Sequence, residues 1–313
     1  MSKIYNKELK NRFMEQYLDS TKMAYEIIFK KTAKTEEQLG KDLCNFNFSE
    51  IDGLLYSMGA KTIESLVSAV SVLSGYTDFC ILEGYVPTKM NYYRQFTDKE
   101  LLKKYLNRFA LRKMYLKNKE ELQLIKSRCD NAQDKVIFAL LWEGVMGENL
   151  EELVNLKVED VDFENNRIHI EGKHERIMTV ERDTINSIQD AIEEKYYIRR
   201  NETIADSNMP LKITPYVLRP IVRKNSKTKI NPIAIRNRVT HIAELYNNPY
   251  VTPTNIQRSG MMYYIKKMME EKGYKTFKDV ESKDLEPILK RYGYDYTPQN
   301  VFKIRLRLKD YID

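Results

Sequence analysis

The hydrophobic pattern of this 313-residue chain has a helical period almost throughout and changes to an alternating period in one stretch, VDFENNRIHIEGKHERIMTV at 161–180. Within it Ile168 and Ile170 alternate with polar residues, and turn residues follow at Asn165 and Gly172. Alternation with period two predicts short antiparallel strands, whereas apolar residues three or four positions apart predict helices. We therefore expect a mainly α fold with a small antiparallel β-sheet.

Four helices are predicted in the first part of the chain. One covers 8–33, and a second begins near Thr35. A third follows Ser49, where SEID has the spacing of a capping box, and a fourth begins near Thr62 and continues through a broad apolar segment. These helices predict a helical domain over residues 1–95.

The rest of the chain divides into a connection and a second domain. The motif TDKE at 97–100 opens a basic amphipathic segment, which predicts a helical linker over 96–116. The second domain covers 117–313 and contains the predicted sheet, a strong helix ended by Gly273, and a last helix from Pro298 to Tyr311.

Composition excludes several classes of protein. The N-terminus lacks the apolar region of a signal peptide, and no apolar run approaches the ~18 residues that span a bilayer. The cysteines and histidines form no CxxC, HExxH or i, i+4 pattern; they are Cys44, Cys80, Cys129, His169, His174 and His241. We expect a cytoplasmic protein with no membrane segment, disulfide framework, metal or cofactor.

Positive charge is concentrated in one segment. Between Ser207 and Ala243 there is no acidic residue, and the eight cations of this segment exceed the net charge of +7 for the whole chain. Such a basic zone predicts a phosphate-binding surface, with a solvated loop as the alternative. The eight residues are Lys212, Arg219, Arg223, Lys224, Lys227, Lys229, Arg236 and Arg238.

Three motifs resemble those of the tyrosine recombinases, the phage integrase family. The segment 148–180 resembles the first arginine motif and the hairpin that carries the catalytic lysine. TPTNIQRSG at 252–260 resembles the His-x-x-Arg motif, and ILKRYGYDYTPQNVF at 288–302 resembles the segment leading to the nucleophilic tyrosine. The resemblance covers roughly 117–313, and it implies a core-binding domain before a catalytic-like domain, closed around duplex DNA.

The resemblance also implies that the catalytic set is incomplete. Family members use two arginines, a lysine, two histidine-type groups and a tyrosine that forms a covalent phosphotyrosine. Lys173 and Arg258 retain their types. The four other positions have changed; they are Asn149 for the first arginine, Asn255 for a histidine (Thr254 if the register slips by one), Tyr294 for a histidine and Phe302 for the nucleophile.

These substitutions favour a transcriptional regulator that binds specific double-stranded DNA without cutting it. The chain resembles the recombinase-like repressors of SPβ-type Bacillus prophages, which implies operator binding that maintains lysogeny. Phosphate contacts are predicted from residues of the hairpin, the basic zone and the His-x-x-Arg segment, and base readout from Lys61 and Ser65. The predicted phosphate contacts are Lys173, His174, Arg176, Lys224, Lys227, Lys229, Arg236, Arg238 and Arg258.

Two other functions stay open. The first is a working recombinase with a displaced nucleophile among Tyr292, Tyr294, Tyr296 and Tyr311. The second is an accessory protein that binds RNA or a protein. We expect a monomer in solution, because only a short segment follows Phe302 for exchange between protomers. A protein or peptide antirepressor is a further partner that the sequence leaves open.

Overall fold

The computed structural model describes residues 4–86, 90–107, 113–199, 208–224 and 227–312. These form two compact units, Met1–Arg112 and Lys113–Asp313. Each unit has its own hydrophobic core, and the second unit has two apolar clusters. The fold is mainly helical with small antiparallel sheets, as predicted.

The described part of the N-terminal unit contains four principal helices and one short one. Their bounds are α1 Lys7–Met14, α2 Asp19–Leu39, α3 Phe48–Ser57, α4 Ile63–Leu82 and α5 Lys99–Leu102. The predicted break between residues 33 and 35 is wrong, because α2 continues through it. Glu36 is buried there and forms an ion pair of 2.6 Å with the buried Lys10 of α1, so the helix has a partner on that face.

Helix α4 is the core helix of this unit. It has 20 residues and a mean hydropathy of 1.5, so by length and composition it could cross a membrane, and the expectation that no segment approaches this length is wrong. Its apolar character has a second explanation in the fold. Leu66, Val70, Leu73 and Tyr76 are buried in the N-terminal cluster, where they pack with the helices around them.

The predicted linker helix over 96–116 is not one helix. In its described part α5 is followed by a 3₁₀ turn at Lys103–Tyr105, and Leu106 is extended. Leu102 and Tyr105 are buried in the N-terminal cluster, and the Tyr105 hydroxyl donates to Asp52 at 2.6 Å. These contacts hold the short turns in the N-terminal unit.

The C-terminal unit places helices around two small sheets. Its helices are α6 Lys119–Lys126, α7 Ala132–Glu143, α8 Glu151–Asn155, α9 Arg182–Glu193, α10 Pro232–Leu245, α11 Pro253–Lys272, α12 Glu286–Arg291 and α13 Pro298–Ile312. Its strands are β1 Val161–Asp162, β2 Arg167–Ile170, β3 Arg176–Thr179, β4 Tyr196–Ile198 and β5 Asn208–Pro210.

The predicted three-stranded sheet is confirmed. It has the order β1-β2-β3, all antiparallel, with Ile168 opposite Met178 and His169 opposite Ile177. Helix α9 ends at Glu193, and β4 pairs with β5 in a second sheet that the hydrophobic pattern did not indicate. Three-residue strands are too short for a period to be read.

Helix ends follow the local sequence where a capping residue is present. Thr62 caps α4 and Asn118 caps α6, each by accepting a hydrogen bond from the backbone N–H three residues later. Gly273 ends α11 in a left-handed conformation with φ 74°. Helix α3 begins earlier than SEID predicted, because Asn47 forms the capping box in place of Ser49.

The crossing of α11 over α7 depends on Gly260. A Cβ atom built on Gly260 would lie 1.9 Å from the carbonyl oxygen of Trp142 and 2.7 Å from the Tyr292 hydroxyl oxygen. That hydroxyl donates to the same Trp142 carbonyl at 2.6 Å. The two helices therefore approach through backbone, and only glycine fits at the contact.

Replacing Gly260 with alanine should destabilise the C-terminal unit by about 2 kcal/mol or more, because the helices must separate to admit the methyl group. The matched control is Gly53→Ala in α3, where a Cβ meets no atom within 4 Å. That change should be neutral or stabilise by up to ~1 kcal/mol. Urea unfolding followed by fluorescence of Trp142, the single tryptophan, and by circular dichroism measures both variants. Equal stability of the two would contradict the proposed close contact.

Candidate nucleic-acid interface

A cavity of about 380 Å³ lies where the resemblance places the first arginine motif. Asn149 has a left-handed backbone, φ 57° and ψ 23°, a conformation that asparagine adopts more readily than most residues. Its Oδ1 accepts a hydrogen bond of 2.8 Å from Nη2 of Arg236 in α10. The cavity is lined by Met146, Asn149, Arg236, Thr240, Thr252 and Thr254, among others. The exposed guanidinium of Arg236 thus lies beside Asn149, the position that the resemblance assigns to the first arginine.

Arg258 extends this cationic region along α11. It is one helical turn after Thr254 and therefore shares its face of the helix. Its side chain is half-buried, and no residue in the described part of the chain gives it a hydrogen bond or ion pair. The side-chain amide of Asn255 already has a partner, because its Nδ2 donates to the carbonyl oxygen of Tyr250 at 2.8 Å. Of these two positions, Arg258 is the one with capacity to bind an anion.

The β2–β3 hairpin presents Lys173 at its exposed turn. Gly172 has φ 114°, which lets the chain turn sharply before the lysine. His174 follows, half-buried, with Nδ1 3.6 Å from Oδ1 of Asp295. The hairpin turn therefore lies beside the segment that leads to Phe302.

Arg176 holds the unit together and is not available to DNA. Its side chain is 10% exposed, and Nη1 and Nη2 donate to the two carboxylate oxygens of Glu152 at 2.8 and 2.9 Å. Nε donates to the carbonyl of Arg291 at 2.9 Å, and Nη2 also contacts the carbonyl of Gly144. Because these bonds occupy the guanidinium, we replace the predicted phosphate contact with a structural role.

The basic zone separates into two faces of α10. Arg236 is exposed beside Asn149, whereas Arg238, two positions and about 200° further round the helix, is 9% exposed. The guanidinium of Arg238 lies over the Tyr197 ring at 4.2 Å and its Nη1 is 3.7 Å from Oδ1 of Asp134. Burial raises the pKa of Asp134 although Arg238 opposes the shift. The predicted contact of Arg238 with a DNA phosphate is therefore corrected, because its side chain is largely buried beside Asp134 and Tyr197 and is not on the exposed face of α10.

The other predicted contacts are at the surface. Lys224, Lys227 and Lys229 are exposed, and Nζ of Lys229 donates to Oδ1 of Asn155 at 2.6 Å. In the N-terminal unit Lys61 and Ser65 are exposed at the beginning of α4. The hydroxyl of Ser65 donates to the Thr62 carbonyl at 2.8 Å. Base readout by these two residues stays a prediction.

Phe302 and the tyrosines near it differ sharply in environment. Phe302 is 64% exposed on α13. Tyr292 is buried with its hydroxyl bound to the Trp142 carbonyl, and burial raises its pKa well above the ordinary value. Tyr311 packs edge-on against Tyr115 at 4.7 Å, and burial raises its pKa to about 12. Both phenols are disfavoured as phenolates.

A buried polar network supports this region and was not predicted from the sequence. Glu143 at the end of α7 has a side chain 1% exposed; it accepts hydrogen bonds from Arg291, from Tyr264 at 2.6 Å and from Thr184 at 3.0 Å. Burial beside this carboxylate raises the pKa of Tyr264. The sequence feature that could have indicated this network is Glu143, an acidic residue at the end of an otherwise apolar helix, KVIFALLWEGV.

One cluster on the sheet has the residue types of a metal site. Asp160, His169 and Glu171 offer ligand atoms within 4.8 Å of one another. Nζ of Lys157 lies 3.7 Å from Glu171, and His169 is hydrogen-bonded to Glu175 at 3.0 Å. The ammonium group of Lys157 therefore lies beside this partly exposed cluster, and its positive charge weakens the attraction of the cluster for a metal ion.

Replacing Arg176 with glutamine should destabilise the protein by about 3–5 kcal/mol, because Glu152 would be left buried without its partner. Lys173→Gln, in the same hairpin, should change the free energy of unfolding by less than about 0.5 kcal/mol, since Lys173 is exposed. Urea unfolding of both variants measures the difference. If Arg176→Gln were as stable as the unaltered protein, the structural role would be wrong and Arg176 would again be a candidate phosphate contact.

Comparison with known proteins places the chain in a family. Residues 4–83 match the family described as "MrpR, N-terminal core-binding domain", and residues 115–313 match "MrpR, C-terminal catalytic domain". The SPbeta prophage-derived uncharacterized protein YopR of Bacillus subtilis (strain 168) is 27% identical over 278 residues, which are 86% of this chain and 84% of that protein.

Solved structures of recombinases are similar over nearly the whole chain. XerA recombinase is 12% identical with a TM-score of 0.39 and covers 97% of this chain and 98% of its own. The Tn1549 transposon integrase, solved in complex with transposon right end DNA, is 15% identical with a TM-score of 0.46 and covers 96% and 93%. On its family matches the chain belongs to the MrpR family, with a core-binding domain followed by a catalytic-type domain of the tyrosine recombinase fold.

Proposed function

We propose that this protein binds specific sites in double-stranded DNA as a transcriptional regulator and does not cleave them. The proposal is carried by the half-buried Arg258, which has no hydrogen bond or ion pair among the described residues and lies one helical turn after Thr254 at the cavity of Asn149 and Arg236. A benzyl side chain at Phe302 is the second part of the observation. The region retains cations for a phosphate and lacks the attacking oxygen.

Phosphate binding is supported by charge and geometry. Arg236 lines the cavity, and Arg258 follows the lining residue Thr254 by one turn of α11. Guanidinium groups bind phosphate oxygens with two parallel hydrogen bonds. Lys173 adds an exposed ammonium at the hairpin turn, and Lys224 and Lys227 add further exposed charge. Such contacts supply affinity and register, and their strength falls as salt concentration rises.

Loss of cleavage is supported by what the active-site positions can no longer do. Asn149 and Asn255 are neutral amides, one bound to Arg236 and the other to the Tyr250 carbonyl. A missing transition-state donor typically lowers the rate by ~10²-fold or more, and without a nucleophile the covalent route is closed. The Tyr292 hydroxyl donates to the Trp142 carbonyl, and the Tyr311 ring packs against Tyr115.

The regulatory role follows from the binding proposal and from the prophage origin of the relative YopR. A protein that keeps the recombinase fold and binds DNA without strand transfer suits a repressor that maintains lysogeny from operator elements. In this proposal the protein acts on phage DNA in the bacterial cytoplasm, and Lys61 and Ser65 read bases from the N-terminal unit.

Arg258→Ala should weaken binding to cognate duplex DNA by ~1–3 kcal/mol, the value of a lost charged hydrogen bond. Lys267→Ala is the matched control, because it removes one charge from the exposed opposite side of the same helix, nine residues or two and a half turns away. Fluorescence anisotropy across a salt series, on a site found by genome-wide mapping, measures both.

Arg258→Ala should also reduce the slope of log affinity against log salt, whereas Lys267→Ala should not. Normal binding by Arg258→Ala would refute the phosphate contact. Equal losses in the two variants would indicate a general charge effect and not a site.

Restoring the missing hydroxyl should not restore cleavage. Phe302→Tyr should bind DNA with nearly unchanged affinity and form no covalent adduct on a nicked suicide substrate, because Asn149 and Asn255 remain. A denaturing gel after incubation detects the adduct. A covalent adduct formed by the unaltered protein would instead establish a working recombinase with a displaced tyrosine, and replacement of Tyr294, Tyr296 and Tyr311 in turn would locate it.

A further inference from the structure

A second and larger cavity, of about 930 Å³, lies within the C-terminal unit on the other side of α10 from Arg236. One wall comes from α10 through Ala234, Asn237, Arg238 and His241. The opposing walls come from the beginning of α7, from β4 and from residues 220–223 and 227–231. Its volume is within the range of small-molecule sites, roughly 300–1,000 Å³.

The charge of the cavity favours an anion. Among the residues that the structure describes, five cationic side chains line it against two carboxylates, Asp130 and Asp134. The positive end of the α10 dipole adds to this, since Asn231 and Pro232 at its N-terminus also line the cavity. The five cations are Arg199, Arg223, Lys227, Lys229 and Arg238.

Arg238 is the strongest indication of a ligand. Its side chain is 9% exposed, yet Nη1 is buried and has no hydrogen-bond partner among the described residues. The 3.7 Å separation from Asp134 Oδ1 is too long for a hydrogen bond. A buried guanidinium with an unmet donor is unfavourable unless another acceptor can approach.

Apolar side chains form a large part of the remaining lining, which argues against duplex DNA as the occupant. Ile198, Pro220, Ile221, Ile230, Ile242 and Leu245 contribute to it. A DNA backbone presents phosphate and sugar to an exposed surface, and it gains little from apolar side chains around a guanidinium that is nine-tenths buried. An organic anion with an apolar body matches both halves of the lining.

We propose that this cavity binds a small organic anion, with a phosphate or carboxylate group toward Arg238 and Lys227 and an apolar body against the isoleucines. The proposal does not rest on the proposed DNA binding. Arg238 and Arg236 lie on different faces of one helix, so an occupied cavity would act on α10 from the side away from Asn149.

The isoleucines allow a direct test on the whole chain. Four of them, Ile198, Ile221, Ile230 and Ile242, line the cavity, and buried Ile265 in α11 lies outside it as a control. Isoleucine δ1-methyl spectra are recorded while phenyl phosphate, inorganic phosphate or benzyl alcohol is titrated. We expect saturable shifts of the four cavity methyls with phenyl phosphate, at least tenfold weaker binding of the other two probes, and no shift of Ile265.

Charge variants complete the test. The double variant Asp134→Asn/Arg238→Gln, which removes both buried charges together, should weaken phenyl phosphate at least tenfold, and exposed Lys227→Glu should weaken it without risk to folding. Arg236→Gln, on the other face, should leave this titration unchanged. Equal binding of all three probes, or unaltered affinity in both the double variant and Lys227→Glu, would overturn the proposal. Duplex DNA that shifts the same four methyls would overturn it in favour of a DNA groove.

Discussion

The contact between Gly260 and the Trp142 carbonyl determines the arrangement of the C-terminal unit. It brings α11 against α7 with no side chain between them, and the Tyr292 hydroxyl binds the same carbonyl from the end of α12. Arg258 is two residues before Gly260, so its position beside the cavity of Asn149 follows from this crossing. Any group that separates the two helices would also displace Arg258.

Two buried arginines complete the scaffold. Arg176 joins β3 to Glu152 and to the carbonyl of Arg291, and Arg291 in turn pairs with Glu143 in α7. Paired charges of this kind resist separation, because each leaves an unsatisfied partner in a dry environment. The hairpin of Lys173 and the segment leading to Phe302 are thereby held to the same helices.

The arrangement separates two properties that a recombinase combines. Phosphate binding needs cations with free donors, which Arg258 and the exposed lysines retain. Strand cleavage needs a nucleophile and a full set of transition-state contacts, and amides or a benzyl group occupy those positions. The proposed function requires loss of the second property without loss of the first, and the contacts of Gly260, Arg176 and Glu143 that hold the fold do not involve Asn149, Asn255 or Phe302.

Much of this could be predicted from the sequence, because it depends on neighbours along the chain. The alternating stretch at 161–180 determined the main sheet, and Thr62 and Gly273 determined helix ends. The side chain of Phe302 has no hydroxyl, so the sequence alone establishes that this residue cannot act as an oxygen nucleophile. The continuation of α2 past Thr35, the short turns after Phe96, and the burial of Arg176 and Arg238 depended on partners distant in the chain. Tertiary structure alone decided them, because a positive charge in the sequence is equally consistent with a free cation and with one half of an internal pair until its distant partner is known.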